Sequence, residues 1–256
     1  MMKKLIQAEA LKYKHSALPK LTVGMAVASV LMAAVLMGNY FSVNSYNWWY
    51  MGMYPGLLGM IGASIGQKDC KKKNHTIATL PLSAGRIWDA KMVVAMGYAL
   101  VGMVALTVLT MLAVPLLHHG LGVQFIVQPT IKQQLVATGL LWLTSLWQLP
   151  FCMALSQRLG VFLTVLVNLA LYMATAVFGA LEATFYFWPG ALAARVMVPV
   201  LGVLPNGLLA VPGSVTYDPA LLDAGAVLSG SVAALVWLAV LWLLGRKYYE
   251  RTVRGV

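Results

Sequence analysis

The chain has 256 residues, of which 61% are hydrophobic and only 10% are charged. An average soluble domain has about 25% charged residues, and a soluble fold of this size could not bury so much apolar surface. The composition therefore disfavours a soluble enzyme, a disordered chain and a disulfide-rich secreted domain. The formal net charge is +11. The basic residues lie in short patches between apolar runs, which is typical of membrane proteins rather than of nucleic-acid binders.

Six apolar runs approach the length of about 20 residues that a helix needs to cross a bilayer core of about 30 Å. They lack the alternation of barrel strands, and only helices or closed barrels satisfy the backbone inside lipid. The sequence therefore predicts an all-α integral membrane fold with six transmembrane helices in a single domain, residues 1–256. The predicted helices are 18–38, 50–66, 92–117, 135–155, 161–181 and 222–244.

The basic residues predict the orientation of these helices. Of the 18 Lys and Arg residues, all except Lys132 and Arg195 fall in segments on one side of the membrane. Because basic loops remain on the cytoplasmic side, we predict that both termini are cytoplasmic.

Residues 1–20 precede the first run and combine lysines with Leu5, Ala8 and Leu11 at roughly helical spacing. We expect an elbow helix that lies along the inner headgroup surface. The alternative is a basic anchor with no further role.

Residues 67–91 form the largest predicted cytoplasmic loop. Its first half is basic, and apolar residues return in its second half on both sides of Gly85. A short apolar element on this side suits docking into a cleft of another protein, and a basic loop held to anionic lipid is the alternative. The candidate docking residues are Ile77, Leu80, Pro81, Leu82, Arg86 and Trp88.

Aromatic residues gather around the predicted outer loop between the first two helices. Such residues prefer the boundary between membrane and water, so an interface belt is the simpler interpretation. Contact with an amphiphilic ligand in the outer leaflet is the alternative. The candidates are Trp48, Trp49, Tyr50 and Tyr54.

The second outer segment, 182–221, is long for a plain connection and too apolar for an unstructured loop. We expect re-entrant half-helices that dip into the outer leaflet on either side of a turn at 205–207. We also expect Glu182 to pair with Arg195, because an ion pair at membrane depth usually has a structural or functional reason. Glu182, Arg195 and Asn206 are candidates either for pinning this segment or for contacting a ligand.

Polar and small residues inside the predicted helices suggest packing roles. Asn168 and Gln148 are expected to form hydrogen bonds between helices. Glycines of the second helix have the small-residue spacing that lets helix backbones approach closely, either within the chain or against a second subunit. These glycines are Gly52, Gly56, Gly59, Gly62 and Gly66.

The sequence contains no motif that would power transport or catalysis. A phosphate-binding GxxxxGK[ST] loop is absent, and the adjacent His118 and His119 do not form a metal site, since neighbouring residues do not share a helix face. No predicted helix has a charged residue near its centre, as an intramembrane protease or a proton-coupled carrier would. The pattern suits a permease driven by a separate ATPase.

Four stretches of the sequence resemble permease subunits of lantibiotic-immunity ABC transporters, the MutE/EpiE family. The stretch 194–207, with Pro199 and the Pro205-Asn206-Gly207 turn, is the most specific match. The others are 2–12, 44–55 with Asn47-Trp48-Trp49-Tyr50, and the loop around Leu80-Pro81 with Ile87-Trp88-Asp89-Ala90-Lys91.

This resemblance implies a type-2 ABC exporter permease of the bacterial cytoplasmic membrane, with an inner coupling helix and re-entrant outer helices between spans five and six. It implies that the chain itself is not an enzyme and binds no cofactor, since ATP and Mg would be held by an ABC ATP-binding subunit, in two copies, docked on residues 76–89. A second related permease and membrane lipid would be further partners. The substrate would be an amphiphilic peptide expelled for self-immunity. A permease for another amphiphile, or a peptide-binding scaffold or sensor, is the alternative.

Overall fold

The computed structural model describes residues 2–36, 38–70 and 82–254. Within these ranges the chain is helical apart from turns and loops, and strand pairing is limited to one bridge between Val203 and Leu209. The helices are α1 (Met2–Leu11), α2 (Leu18–Leu36), α3 (Phe41–Trp48), α4 (Tyr54–Cys70), α5 (Ala84–Pro115), α6 (Ile131–Ser145), α7 (Gln148–Gly179), α8 (Ala191–Leu201) and α9 (Gly225–Arg254).

Four helical stretches are long and apolar enough to cross a membrane. They are Leu18–Leu36, Ala84–Gly120, Ile131–Gly179 and Gly225–Val253. Many of their large apolar side chains, such as Leu31, Phe162 and Leu228, are exposed on the protein surface, as expected where lipid is the solvent. The chain is therefore a multi-pass membrane protein.

A backbone break divides α7 into two halves. Gly160 has φ 76° and ψ 178°, a conformation that is essentially restricted to glycine. Both halves pack against α4, and Asn168 in the second half donates from Nδ2 to Gln148 Oε1 (2.8 Å) in the first half and to the Pro55 carbonyl (2.9 Å) of α4. The prediction that Asn168 and Gln148 form hydrogen bonds between helices is confirmed.

The predicted outer loop between the first two helices is itself helical. α3 covers most of it and is almost wholly buried, and a π-helical turn, Trp49–Met53, joins it to α4. Serine and asparagine side chains of α3 are buried in the protein interior. A search for apolar residues at the 3.6-residue helical period would not predict that these polar residues are buried.

The outer segment 182–221 holds one α-helix, α8, flanked by short 3-10 turns, where two half-helices were expected. α8 ends at Leu201 and is followed by its C-cap Gly202, which has φ 67°. The chain then turns through Gly207 and Gly213, both also with positive φ. The expected second half-helix is therefore wrong, because three glycines in this conformation interrupt any helical continuation.

Two ends of the molecule can be distinguished by their contacts. The basic end, as we call it, comprises α1, the end of α4, the start of α5, the Gly160 break and the end of α9. The opposite end comprises α3, the loop 121–130 and the segment 180–224, joined for example by Ile126 N–H donating to the Asn39 carbonyl. The first and last helices thus reach the same end of the molecule.

Candidate functional site

The described part of the predicted docking loop lies at the start of α5. Ile77, Leu80 and Pro81 fall outside the described residues. Leu82 is half-buried and packs against the core, and Arg86 is exposed. The accessible part of this element is therefore its first turn.

Trp88 is wholly buried, so its predicted role as a docking residue is wrong. Its ring packs on Tyr249 with centroids 5.6 Å apart, and Gly245 of α9 lies so close that a Cβ there would contact the indole at 2.5 Å. The indole fills the space between α5 and α9 instead of facing outwards. Trp88 therefore anchors the docking element to the last helix.

Four charged side chains form a buried charge cluster one turn further along α5. Lys91 Nζ lies 2.5 Å from Asp69 and 3.6 Å from Glu9. Lys12 Nζ lies 2.7 Å from Glu9 and 3.1 Å from Asp69. The side chain of Lys91 is only 1% exposed. The cluster joins α1, α4 and α5, with two charges of each sign.

The charges of this cluster stabilise one another. Burial would raise the pKa of Asp69, but Lys91 and Lys12 outweigh it and lower that pKa below its usual value. Burial would lower the pKa of Lys12, but its hydrogen bond to Glu9 and the two carboxylates raise it. Both groups therefore stay ionised over the whole neutral range.

The sequence analysis counted Lys12 and Lys91 only as orientation signals and missed the cluster. The signal available was the position of Glu9 and Asp69: they are two of only seven acidic residues in the chain, and each lies in a basic segment. An acidic residue among lysines beside a predicted membrane helix is a candidate partner for a buried cation.

Three of the four outer aromatic candidates are core residues. Trp49 Nε1 donates to Met103 Sδ (2.9 Å), and its ring stacks on Tyr54 at 5.2 Å. Tyr54 OH donates to the Ala99 carbonyl (3.1 Å), and the Tyr50 hydroxyl accepts from Asn47. All three are at most 1% exposed, so the expectation that they contact lipid or a ligand is wrong. Only Trp48, which is 39% exposed, faces outwards.

Arg195 does not pair with Glu182. Glu182 is exposed, whereas the buried guanidinium of Arg195 donates to the carbonyls of Leu221 and Ala220 and lies 5.4 Å from the ring of Phe185. The expected ion pair is wrong because backbone carbonyls just before the last span already accept hydrogen bonds from the cation. Arg195 thus pins the short helical turn Pro219–Leu222 to α8.

Asn206 organises the turn in which it lies. Its Nδ2 donates to the Val215 carbonyl and to Thr216 Oγ1, both at 3.1 Å, and its Oδ1 accepts from Leu208 N–H. These contacts use both ends of the side-chain amide within its own segment. They favour the pinning role over ligand contact.

Three of the predicted packing glycines face α7 of the same chain. A Cβ on Gly62 would lie 2.8 Å from Cys152 Cβ, one on Gly66 would clash with the Met153 carbonyl, and Gly59 approaches Asn168 and Val165. Among the described residues Gly52 has no such neighbour, and Gly56 has only ordinary van der Waals contacts. Close packing at Gly59, Gly62 and Gly66 is therefore intrachain, which leaves no room there for a second subunit.

A polar cavity of about 430 Å³ opens at the opposite end, between α3, α5 and α6. We call it the Ser42 cavity. Ser42 Oγ and Gln134 Oε1 are buried and have no hydrogen-bond partner in the described structure. Its lining is Ser42, Met111, Val114, Gln128, Pro129, Thr130, Ile131 and Gln134. The cavity is thus uncharged, with hydrogen-bonding capacity unused by the protein.

The described residues include no group of three or more side chains suited to hold a metal ion. The exposed His118 and His119 contact each other edge to face at 4.8 Å, and His118 Nδ1 is 3.1 Å from the Val123 carbonyl. This pair has no carboxylate or thiol partner among the described contacts.

The described residues thus form a bundle of apolar helices with the buried charge cluster at one end and the Ser42 cavity at the other. The sequence model of the ABC-2 family transporter proteins matches residues 5–175, which is more than half of the chain. The chain therefore belongs to the ABC-2 transporter family. Comparisons with curated proteins and with solved structures gave no match.

Family membership defines the general role. The chain is a membrane permease of the ABC exporter type, a family that associates with an ABC ATP-binding subunit.

Proposed function

We propose that the chain is the permease subunit of an ATP-driven exporter that expels a lantibiotic-type peptide from the membrane for producer self-immunity. The exporter part is supported by the family, and the peptide by the resemblance of residues 194–207 and the three other stretches to lantibiotic-immunity permeases. Two ATP-binding subunits and a second related permease complete the proposed complex in the bacterial cytoplasmic membrane.

The proposed topology has six spans with both termini cytoplasmic. The stretch Ile131–Gly179 has 49 residues, or roughly 74 Å of helix, more than twice the hydrocarbon thickness. Its break at Gly160 therefore supports two spans that turn back on each other. In this proposal α4 and its preceding π-helical turn form the sixth span, and the excess of Lys and Arg at the basic end supports its cytoplasmic position.

The observation that carries the coupling role is the double attachment of the start of α5. Trp88 packs it against α9, and Lys91 ties it to α1 and α4 through Glu9 and Asp69. A push by the ATP-binding subunit on the loop before α5 would therefore move three other helices together. Such a joint movement is what alternating exposure of a membrane site requires.

The Ser42 cavity is the proposed site for polar groups of the peptide at the outer face. Its unpaired Ser42 Oγ and Gln134 Oε1 can bind N–H and O–H groups, and its uncharged walls suit the neutral backbone of a peptide.

Peptide export is tested by loading cells with a fluorescent lantibiotic and measuring release with the permease and its ATP-binding subunit present. Release should require both ATP hydrolysis and this chain. Binding without ATP-dependent release would indicate a scaffold or sensor instead. Release of a fluorescent phospholipid but not of the lantibiotic would indicate a permease for another amphiphile.

Coupling through the start of α5 is tested with Leu82→Asp. Leu82 is half-buried at the predicted docking surface, so the new charge should uncouple ATP hydrolysis from release while the chain remains in the membrane. The matched control is Ser83→Asp, which adds the same charge at an exposed neighbour. Equal transport in the two variants would contradict the coupling role.

A further inference from the structure

A second cavity shares no lining residue with the buried charge cluster or with the Ser42 cavity. It has a volume of about 300 Å³ and runs between the first half of α7 and the end of α9. Its walls are apolar, with Phe151, Ala154 and Leu155 on one side and Leu241 and Leu244 on the other. The whole lining runs from 150 to 158 in α7 and from 241 to 248 in α9, which is roughly two turns of each helix. We call this cavity the Arg158 groove, after the one cation that lines it.

The cationic end of the groove has a fixed geometry. Arg158 Nε donates to the Tyr248 hydroxyl (3.0 Å), and the guanidinium lies 5.2 Å from the centroid of that ring. Arg158 is exposed, and the described contacts of its guanidinium leave both terminal NH₂ groups available. The ring thus contacts the guanidinium at the groove, and the NH₂ groups of the guanidinium have no partner among the described contacts.

We propose that the Arg158 groove binds an anionic phospholipid, with an acyl chain along the apolar walls and the phosphate on Arg158. A planar guanidinium with two free NH₂ groups matches a phosphate oxygen pair. The groove also lies at the basic end, whose excess of Lys and Arg attracts anionic headgroups. Binding of an anionic lipid in this groove does not depend on which substrate the permease transports. It rests on the proposed function in one respect: the proposed orientation of the chain means that the lipid comes from the inner leaflet.

A lipid fits the groove better than a helix of a second subunit. Apolar walls ending at a single cation match a molecule with an apolar tail and a charged head.

The test uses the purified chain without its ATP-binding subunit. Native mass spectrometry measures retention of dioleoyl phosphatidylglycerol against dioleoyl phosphatidylcholine. We expect the wild type to prefer the anionic lipid and Arg158→Gln to reduce that preference about fivefold, the effect of one basic residue at a membrane surface. The matched control Arg251→Gln removes the same charge from an exposed residue that does not line the groove, and should keep the preference.

A second variant tests the groove itself without changing any charge. Ala154→Trp fills the space between α7 and α9, so it should lower retention of phosphatidylglycerol even if Arg158→Gln fails to fold. Equal retention of both lipids by the wild type, or equal losses in Arg158→Gln and Arg251→Gln, would overturn the proposal. Cross-linking between copies through Ala154→Cys, with lipid retention unaffected by Arg158→Gln, would also overturn it and assign the groove to a subunit interface.

Discussion

At the scale of single residues, the charges at the basic end carry the most physical information. Moving an ion out of water costs several kcal/mol even after relaxation, so a lysine with 1% of its side chain exposed requires close anionic partners. Asp69 and Glu9 supply them from two other helices. Lys91 is therefore important mainly because its removal would leave the buried carboxylates of Asp69 and Glu9 without their fully buried cation partner, and less because of the attraction within each ion pair.

Replacing Lys91 should be far more damaging than replacing Lys12. Lys91→Met leaves buried carboxylates with one partially exposed cation, and we expect a loss of about 3–5 kcal/mol of stability. Lys12 is 31% exposed, so Lys12→Met should cost about 1 kcal/mol or less. Thermal unfolding of the two variants in detergent measures the difference. Similar melting temperatures would show that burial does not determine the cost.

The pH dependence of stability provides a second residue-scale prediction. The pKa of Asp69 is lowered in the folded chain, so its stabilising contribution is complete above the unfolded value of about 3.9 and is lost as the pH falls through the folded value. Melting temperatures should therefore be insensitive to Asp69 from pH 7 down to about 5 and should decrease below about 4. Asp69→Asn should be less stable than wild type at neutral pH and lack this contribution to the acid decrease. An unchanged acid decrease in that variant would contradict the prediction.

At the scale of elements, α7 shows how one glycine turns a long apolar segment into two helices. Its second half returns along α4 because Gly160 adopts a conformation that other residues enter only with strain. The hydrogen bond from Asn168 to Gln148 then joins the two halves. A break and a polar link together define this hairpin.

Gly160→Ala should destabilise the protein by about 1–3 kcal/mol, because φ 76° is unfavourable for any residue with a Cβ. The matched control is Gly139→Ala in α6, where a Cβ would meet no atom within 4 Å. That change should stabilise the helix by about 0.5–1 kcal/mol. Melting temperatures of the purified variants should move in opposite directions, and parallel shifts would argue against the strained break.

The contact between α4 and α7 yields a further prediction. Gly62→Leu places side-chain atoms where Cys152 and the Leu149 backbone already lie, so it should cost about 1–3 kcal/mol by overpacking. Gly52→Ala, at a position with no atom within 4 Å, is the control and should be tolerated. Expression level and melting temperature in detergent report the outcome, and a stable Gly62→Leu protein would refute the packing.

At the scale of the whole molecule, the two ends have different chemistry. The basic end gathers both terminal helices, the buried charge cluster and the start of α5. The opposite end carries the Ser42 cavity and the segment pinned by Arg195. This division suits a protein that receives mechanical work on one side of a membrane and meets its substrate on the other.

Single-cysteine labelling in intact cells tests the orientation of these ends. In a background without Cys70 and Cys152, a membrane-impermeant maleimide should label Gln124→Cys, which is exposed at the opposite end. Arg251→Cys, near the C-terminus, should react only after permeabilisation. Labelling of both positions in intact cells would contradict cytoplasmic termini.

The sequence by itself determined the features that depend on local composition. Apolar length identified the four helical stretches that are long and apolar enough to cross a membrane, but the predicted helix 50–66 is not one of them. The polar pair Asn168 and Gln148 was correctly predicted to link helices. Only the tertiary structure decided which side chains are buried together. Trp49 and Tyr54 have the amphipathic character of interface anchors, yet packing against α5 places them in the core. Arg195 donates to backbone carbonyls instead of pairing with Glu182. Lys91 pairs with two carboxylates on helices that are distant in the sequence. Such pairing depends on which segments, distant in the sequence, pack against each other. Local hydropathy does not predict those contacts.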